Sequence, residues 1–507
     1  MTPEFERDSS SESAVLVDDL KTLQSMGYAQ ELFRGMSGFS NFAISFSIIC
    51  ILAGGITSLQ LGICSVGGAA IGLGWPLSCF FSLMVALAMG QVASAFPTAG
   101  GLYHWGAILG GRWWGWVTAW FNLVGLVTVL SAINVGIYLF AIGALASLFG
   151  FKPESLSPSS SFILQSISVL LITLSQAIFN HRGIKITSKL TDISGYLIFA
   201  VSLSLTLCLF AYAPTIDFSR LWRFANYSGA VGAHTWPKSG NIGYLFLLSL
   251  LLPAYTVTGF DASAHTSEET INAASNVPRG MVRAVIWSGI FGWLMLIAIL
   301  IAIPDLDKGA AKGGQIFYWL MDSVLPFGLK GSFYLGIIVC QYFCGLATLT
   351  SISRMFYAFA RDGGLPFSAR LKVVCQKHRT PAAAVWAGAA LSLLFTIYTP
   401  VYSTITVVCV IFLYVSYVLP IALGLVAFQR TWTKMGPWSL GSWYRPIALV
   451  CLIGCALIIF VGVQPPNEKA LTITLGAFAL SLLIWFGYER RRFQGPPQEI
   501  LSQRKEA

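Results

Sequence analysis

Four ionisable side chains, Asp261, His265, Glu268 and Glu269, follow one another at i, i+4, i+7 and i+8 in a chain that is otherwise poor in charge. On a helix that spacing puts all four on one face. A stripe of acid, histidine and acid is suited to moving protons, because histidine titrates near neutrality. For Glu268 and Glu269 the plainer reading is a span edge, with ion pairs to Arg279, Arg283 or Lys189. Asp261 differs from them because it adjoins a break. The apolar run that begins at Asn241 is interrupted at Pro253 and again at Thr256-Val257-Thr258-Gly259. Backbone groups left unpaired in hydrocarbon cost several kcal/mol each. Such an interruption persists only against protein or a water-filled cavity, which is where membrane carriers place their ligands.

A possible counterpart lies in the first apolar run, at Ala53-Gly54-Gly55-Ile56. Unwinding there would expose backbone N–H groups and aim the N-terminus of the following half-helix at the same place. That end carries about half a positive charge and suits a carboxylate. The unwound carbonyls of the sixth run suit an ammonium, so the two breaks together would receive a zwitterion. Tyr255 and Phe260 flank the second break as candidate gates, or as packing aromatics. Glycines in membrane helices also serve close packing, and both readings stand at this point. Asn122 and Asn134 in the third run and Gln341 in the eighth are uncharged amides among apolar residues, either interhelical contacts or ligand contacts. His104, Arg112 and the Trp113/Trp114/Trp116 cluster read as interfacial anchors.

The elements that must carry these residues are membrane helices. The 507 residues are 56% hydrophobic and only 10% charged, and mean hydropathy is +0.72, against about 25% charged residues in ordinary soluble domains. Runs of bilayer-spanning length, about 20 residues, predict helices near 39–62, 66–96, 113–147, 161–179, 190–213, 241–265, 284–303, 331–360, 382–398, 402–428, 445–463 and 470–489. Gln315 to Leu325 is too short and polar to span. The fold class is therefore an all-α polytopic membrane protein of about twelve transmembrane helices. Residues 1–36 form an N-terminal segment, 37–490 the transmembrane domain and 491–507 a C-terminal tail, with the stretch after Phe493 reading as disordered. No early apolar segment resembles a cleavable signal.

The net charge of +10 is a topology signal and excludes no function by itself. Basic residues gather in one set of loops (Arg182, Lys185, Lys189; Arg361, Arg370, Lys372, Lys377, Arg379; Arg490 to Arg492), and few lie in the other. By the positive-inside rule both termini are cytoplasmic. The ten cysteines are scattered, with no CxxC or Cys/His cluster, so neither zinc nor a disulfide framework is expected. Nucleophile triads, phosphate loops and soluble signalling domains are also missing, which argues against a membrane enzyme or sensor.

Four stretches make the chain recognisable: LQSMGYAQELFRGMSGFSNFAISFSIICILAGGITS, ASAFPTAGGLYHW, YTVTGFDASAHTSEET with NVPRG, and RDGGLPFS. Their order and content resemble the amino acid–polyamine–organocation superfamily of permeases, and within it the amino acid/choline transporter family. The resemblance implies a LeuT-like fold of two inverted five-helix repeats plus two further helices, with helices one and six broken. It implies secondary active transport by alternating access of amino acids or GABA-like zwitterions across the plasma membrane, or alternatively of choline or polyamines. By motif, Ala53, Gly54, Gly55 and Ile56 match the carboxylate-binding break, and Thr256, Thr258, Gly259 and Phe260 the opposite one. Tyr255 falls at an aromatic gate, and Asp261 falls where many relatives have a glutamate linked to gating or proton coupling; Asn122 as a contact and His265 as a coupling group are candidates from the residues alone. No cofactor is expected beyond a coupling proton or Na+. The expected partners are an amino acid or related amine and the lipid bilayer, with no nucleic acid, in a monomer or homodimer. Two departures weaken the coupling analogy: Gln91 stands where relatives carry glutamate, and the fifth helix lacks a mid-span lysine.

Overall fold

The computed structural model describes residues 3–398 and 402–502. Among them there is no β-strand, only isolated bridges such as Met36 with Thr270. Helix α1 (Pro3–Ser25) precedes the bundle. The first span is divided into α2 (Gly38–Ile49) and α3 (Ile51–Thr57), followed by α4 (Leu59–Val66). Next come α5 (Trp75–Ala95), the short α6 (Leu102–Gly110), α7 (Arg112–Phe149), α8 (Pro158–His181) and α9 (Ile184–Tyr212). The sixth span comprises α10 (Ile242–Ser249), α11 (Leu251–Thr256) and α12 (Ala262–His265), leading to α13 (Ala273–Ala302). Beyond it lie α14 (Leu306–Ala310), α15 (Ile316–Val324), α16 (Phe327–Arg361), α17 (Ser368–Leu371), α18 (Ala382–Tyr398) and α19 (Tyr402–Ala427). The chain ends with α20 (Tyr444–Gly462), α21 (Glu468–Ile484), α22 (Arg490–Arg492) and α23 (Gln498–Ser502).

Ten of the described helices are long and apolar enough to cross a membrane, and two shorter apolar ones cover 242–256 and 382–398. They fall at the positions of the twelve expected spans, though length and composition qualify only ten. α15 is the short amphipathic segment expected there. Helices wholly satisfy their own backbone, which is why an oily chain of this length folds as a helical bundle. α7, about 57 Å long by helical rise, is a central post that packs against α16, α18 and α19; α13 packs against α2, α5 and α9. α8 and α21 are peripheral and turn Leu171, Ile163, Leu475 and Leu483 outward.

Both breaks exist; the first lies upstream of its sequence reading, and the second falls where Thr256-Val257-Thr258-Gly259 placed it. α2 is N-capped by Ser37, whose hydroxyl accepts from the Ser40 N–H at 3.1 Å. It ends at Cys50, which leaves helical geometry at φ 27°. Ala53 to Ile56 are helical, with the Ala53 and Gly54 N–H groups both taken by the Cys50 carbonyl at 2.8 and 3.1 Å. The expected unwinding at those residues therefore sits upstream of them. The reason is packing: a Cβ on Gly54 would lie 2.8 Å from the Thr256 Cα, so this glycine serves the close crossing of α3 and α11. The interruption expected at Pro253 is a mild one: α10 ends at Ser249 and α11 begins at Leu251, Leu250 keeps αR geometry, and Pro253 sits in the first turn of α11. The main opening of the sixth span is at Val257–Phe260, as expected, with Gly259 at φ 86°.

The terminal segments are ordered against the bundle. Phe493 is buried among Tyr103, Phe359 and Trp485, and Pro497 packs beside Gly27. The stretch after Phe493, expected to be disordered, instead carries α23 as far as Ser502, anchored by Phe493 before it and by Pro497 against Gly27. The interfacial-anchor reading holds for Arg112 and Trp114, which are exposed. It fails for His104 and Trp116, which are buried.

Candidate substrate site

The two breaks face one another. A side chain on Gly259 would collide with Ile48 of α2, and the Ser45 hydroxyl donates to the Phe260 carbonyl at 2.8 Å. Unwound backbone is thus partly satisfied by the opposite half-span, as a break at membrane depth requires. Thr256 spends its hydroxyl on the Leu252 carbonyl at 2.8 Å and presents its flank to Gly54. Gly55 faces α13, where Met295 would be 3.5 Å from an added Cβ.

Asp261 is fully buried and gathers three donors. Tyr417 Oη donates to Oδ1 at 2.7 Å; Asn122 Nδ2 and His265 Nε2 reach Oδ2 at 3.0 and 3.2 Å. Tyr417 in turn accepts from the Gly259 N–H at 3.2 Å and packs on Phe260, with ring centroids 5.1 Å apart. Asn122 also reaches Ser416 at 3.3 Å. The carboxylate therefore ties the break in the sixth span to α7 and α19. His265 Nδ1 and Asn122 Oδ1 are buried with no hydrogen-bond partner. With Nε2 turned to a carboxylate, Nδ1 is the unpartnered end of an acid–imidazole pair. Of the predicted site residues, Asn122, Gly259, Phe260, Asp261 and His265 meet in this cluster. Tyr417 and Ser416, which complete it, were missed; the available signal was a tyrosine hydroxyl at mid-span, which needs a buried partner.

On the face away from the termini, a vestibule of about 530 Å³ runs down to Ile56, Thr57 and Tyr402. Tyr402 bonds Thr57 at 2.7 Å and donates to the Tyr255 hydroxyl at 3.4 Å, the two rings meeting edge to face. Tyr255 is therefore the lower half of a tyrosine pair whose upper half, Tyr402, floors the vestibule.

On the termini face the path is sealed by buried charge. Arg354 grips Glu269 with two contacts of 2.8 Å, and Arg361 grips Glu268 at 2.9 and 3.1 Å. Arg361 also lies over the Tyr28 ring, 3.7 Å from its centroid. Beside it Asp362 accepts from Tyr28 at 2.8 Å and Tyr103 at 2.9 Å and contacts His104 at 3.1 Å. The expected partners Arg279 and Arg283 are exposed. The pairing differs because α12 gives way to a 3-10 turn at Ser267–Glu269, and both glutamates are buried. The segment before α2 is laid across this seal: Gly35 and Met36 donate to the Glu269 carbonyl at 2.9 and 2.8 Å. The Asp19 carboxylate caps Asn272 and Ala273 at 2.7 and 3.1 Å. Burial raises the Asp19 carboxyl above its ordinary value, opposed by Arg34 and those two N–H groups.

The other predicted amides divide. Asn134 exchanges hydrogen bonds of 3.0 Å with Gln176 and reaches Thr173, so it joins α7 to α8. Gln341 is buried with neither amide atom paired.

Paired helix breaks at the centre, an open vestibule on one face and an ion-paired seal on the other are the arrangement of a membrane carrier. The family model described as amino acid permease matches residues 36–487, and the chain belongs to that family. Among similar proteins, Amino-acid permease BAT1 of Arabidopsis thaliana is 32% identical over 95% of this chain and 96% of its own length. The BAT1 homolog of Oryza sativa subsp. japonica is 33% identical over 94% of each. A GABA-specific permease of Saccharomyces cerevisiae is 27% identical over 96% of this chain and 87% of its own.

Proposed function

We propose that this chain carries amino acids, GABA-like ω-amino acids among them, across the plasma membrane by alternating access, with both termini in the cytoplasm. The observation that carries the reading is the opposition of the two breaks between an open vestibule and a closed seal. The substrate carboxylate lies at the break before α3, beside Cys50 and Ile51 and upstream of the expected Ala53 to Ile56, where the half-helix dipole favours an anion. Its ammonium lies against the backbone from Thr256 to Phe260, and the Tyr255–Tyr402 pair closes above it. A cationic amine lacking a carboxylate is disfavoured, since the nearby acid, Asp261, already satisfies three donors. The coupling ion is a proton handled by Asp261 and His265: adding it at the unpartnered Nδ1 gives an ion pair, and moving it between them changes the hold on Tyr417 and Asn122. Counterflow in proteoliposomes loaded with amino acids, GABA, choline and polyamines, with and without pH and Na+ gradients, tests all of this. Absence of saturable uptake of every zwitterion overturns the reading, and uptake that needs Na+ and ignores pH overturns its proton step.

A further inference from the structure

A pocket of about 510 Å³ opens above the seal on the termini face, with Gln30, Glu31, Arg361, Lys372, Gln376 and Arg379 in its wall. Its sides come from three places: the segment before α2, the end of α16 and the loop between α17 and α18. Arg361 is committed to Glu268, yet its Nε is buried without a partner. Lys372 and Arg379 are exposed, and neither has an ion-pair partner among the described residues. Glu31 accepts from Tyr357 at 3.0 Å and is the single acid of the wall. Two unspent cations beside one carboxylate complement a ligand with two negative groups and one positive. A simple dianion would set charge against Glu31, and a neutral amine would leave both cations unanswered.

We propose that this pocket is a second binding site for an acidic amino acid, and that its occupancy holds the seal shut. The two ligand carboxylates meet Lys372 and Arg379, and the ammonium meets Glu31. The proposal rests on the carrier reading only for what occupancy does to transport. Gln30 donates to the Glu268 carbonyl at 2.8 Å, so the pocket wall and the seal share residues on both sides of the closure. Parting Glu268 from Arg361 takes the wall apart. A ligand that binds the closed form alone shifts the population toward it, so product on the termini face slows further delivery.

The test uses the full chain in proteoliposomes, with L-glutamate on the termini face and a labelled neutral amino acid offered on the other. Saturable slowing by L-glutamate is expected, with succinate and inorganic phosphate weaker. Lys372→Gln and Arg379→Gln should each raise the half-inhibitory concentration about tenfold, the scale of one charge-assisted contact, with basal uptake intact. Glu31→Gln should invert the preference, so that succinate outperforms L-glutamate. Inhibition unchanged by both cation substitutions would mean that glutamate acts at the central site, and it overturns the proposal. Equal inhibition of the parent protein by succinate or phosphate overturns it too, as does no inhibition with normal uptake. If uptake itself is absent, the carrier reading fails and thermal melting of the solubilised chain decides the site alone. A rise with L-glutamate that Lys372→Gln abolishes upholds the site, and no rise refutes it.

Discussion

Asp261 holds together groups from three helices, and its substitution separates structure from coupling. Asp261→Asn keeps the volume but turns an acceptor oxygen into a donor facing Tyr417 or Asn122 and His265. Uptake should fall at least about tenfold, the scale of a hydrogen bond to a charged group, and its pH dependence should flatten. An unchanged pH profile removes Asp261 from coupling. Gly259 is a second sensitive position. Its φ of 86° costs an L-residue roughly 1–2 kcal/mol, and Ile48 occupies the space a side chain would need. Gly259→Ala should therefore lose transport, and Ile48→Ala in the same chain should recover part of it. Full independence of the two substitutions in a double-mutant cycle would contradict the opposed breaks.

At the scale of elements, the sixth span and the segment before α2 act as one closing unit on α16. Removing one partner of a buried, bidentate pair leaves an uncompensated charge and costs about 3–5 kcal/mol. Arg354→Ala should therefore destabilise the sealed form and lower the melting temperature. Glu269→Gln, which retains hydrogen bonding, should do so less. In both variants cysteines placed near Ser267 should react faster with a polar thiol reagent added on the termini face; equal rates in parent and variant would show that the pair does not close the path. α1 contributes through its cap: Asp19→Ala should cost about 1 kcal/mol, typical of a lost helix-end acceptor, and loosen the same face.

At the scale of the molecule, the vestibule and the seal place access on one face at a time. Substrate should protect a cysteine at Thr57 from reagent on the face away from the termini and expose the Glu268 region in exchange; simultaneous access from both faces would indicate a pore. The spans and the two broken regions were legible in the sequence. Each rests on local physics: apolar length against bilayer thickness, and glycine and proline against helix continuity. The particular partners were not legible. Glu268 and Glu269 chose Arg361 and Arg354, from another helix, because a 3-10 turn after His265 carries them into the bundle. Gly54 became a packing surface and passed the break to Cys50, because α11 crosses there. Tyr417, 156 residues from Asp261, entered the site only when the bundle closed. A single chain thus determines where its helices must stop, but which buried charge answers which is a long-range choice, made when desolvation leaves no water to answer instead.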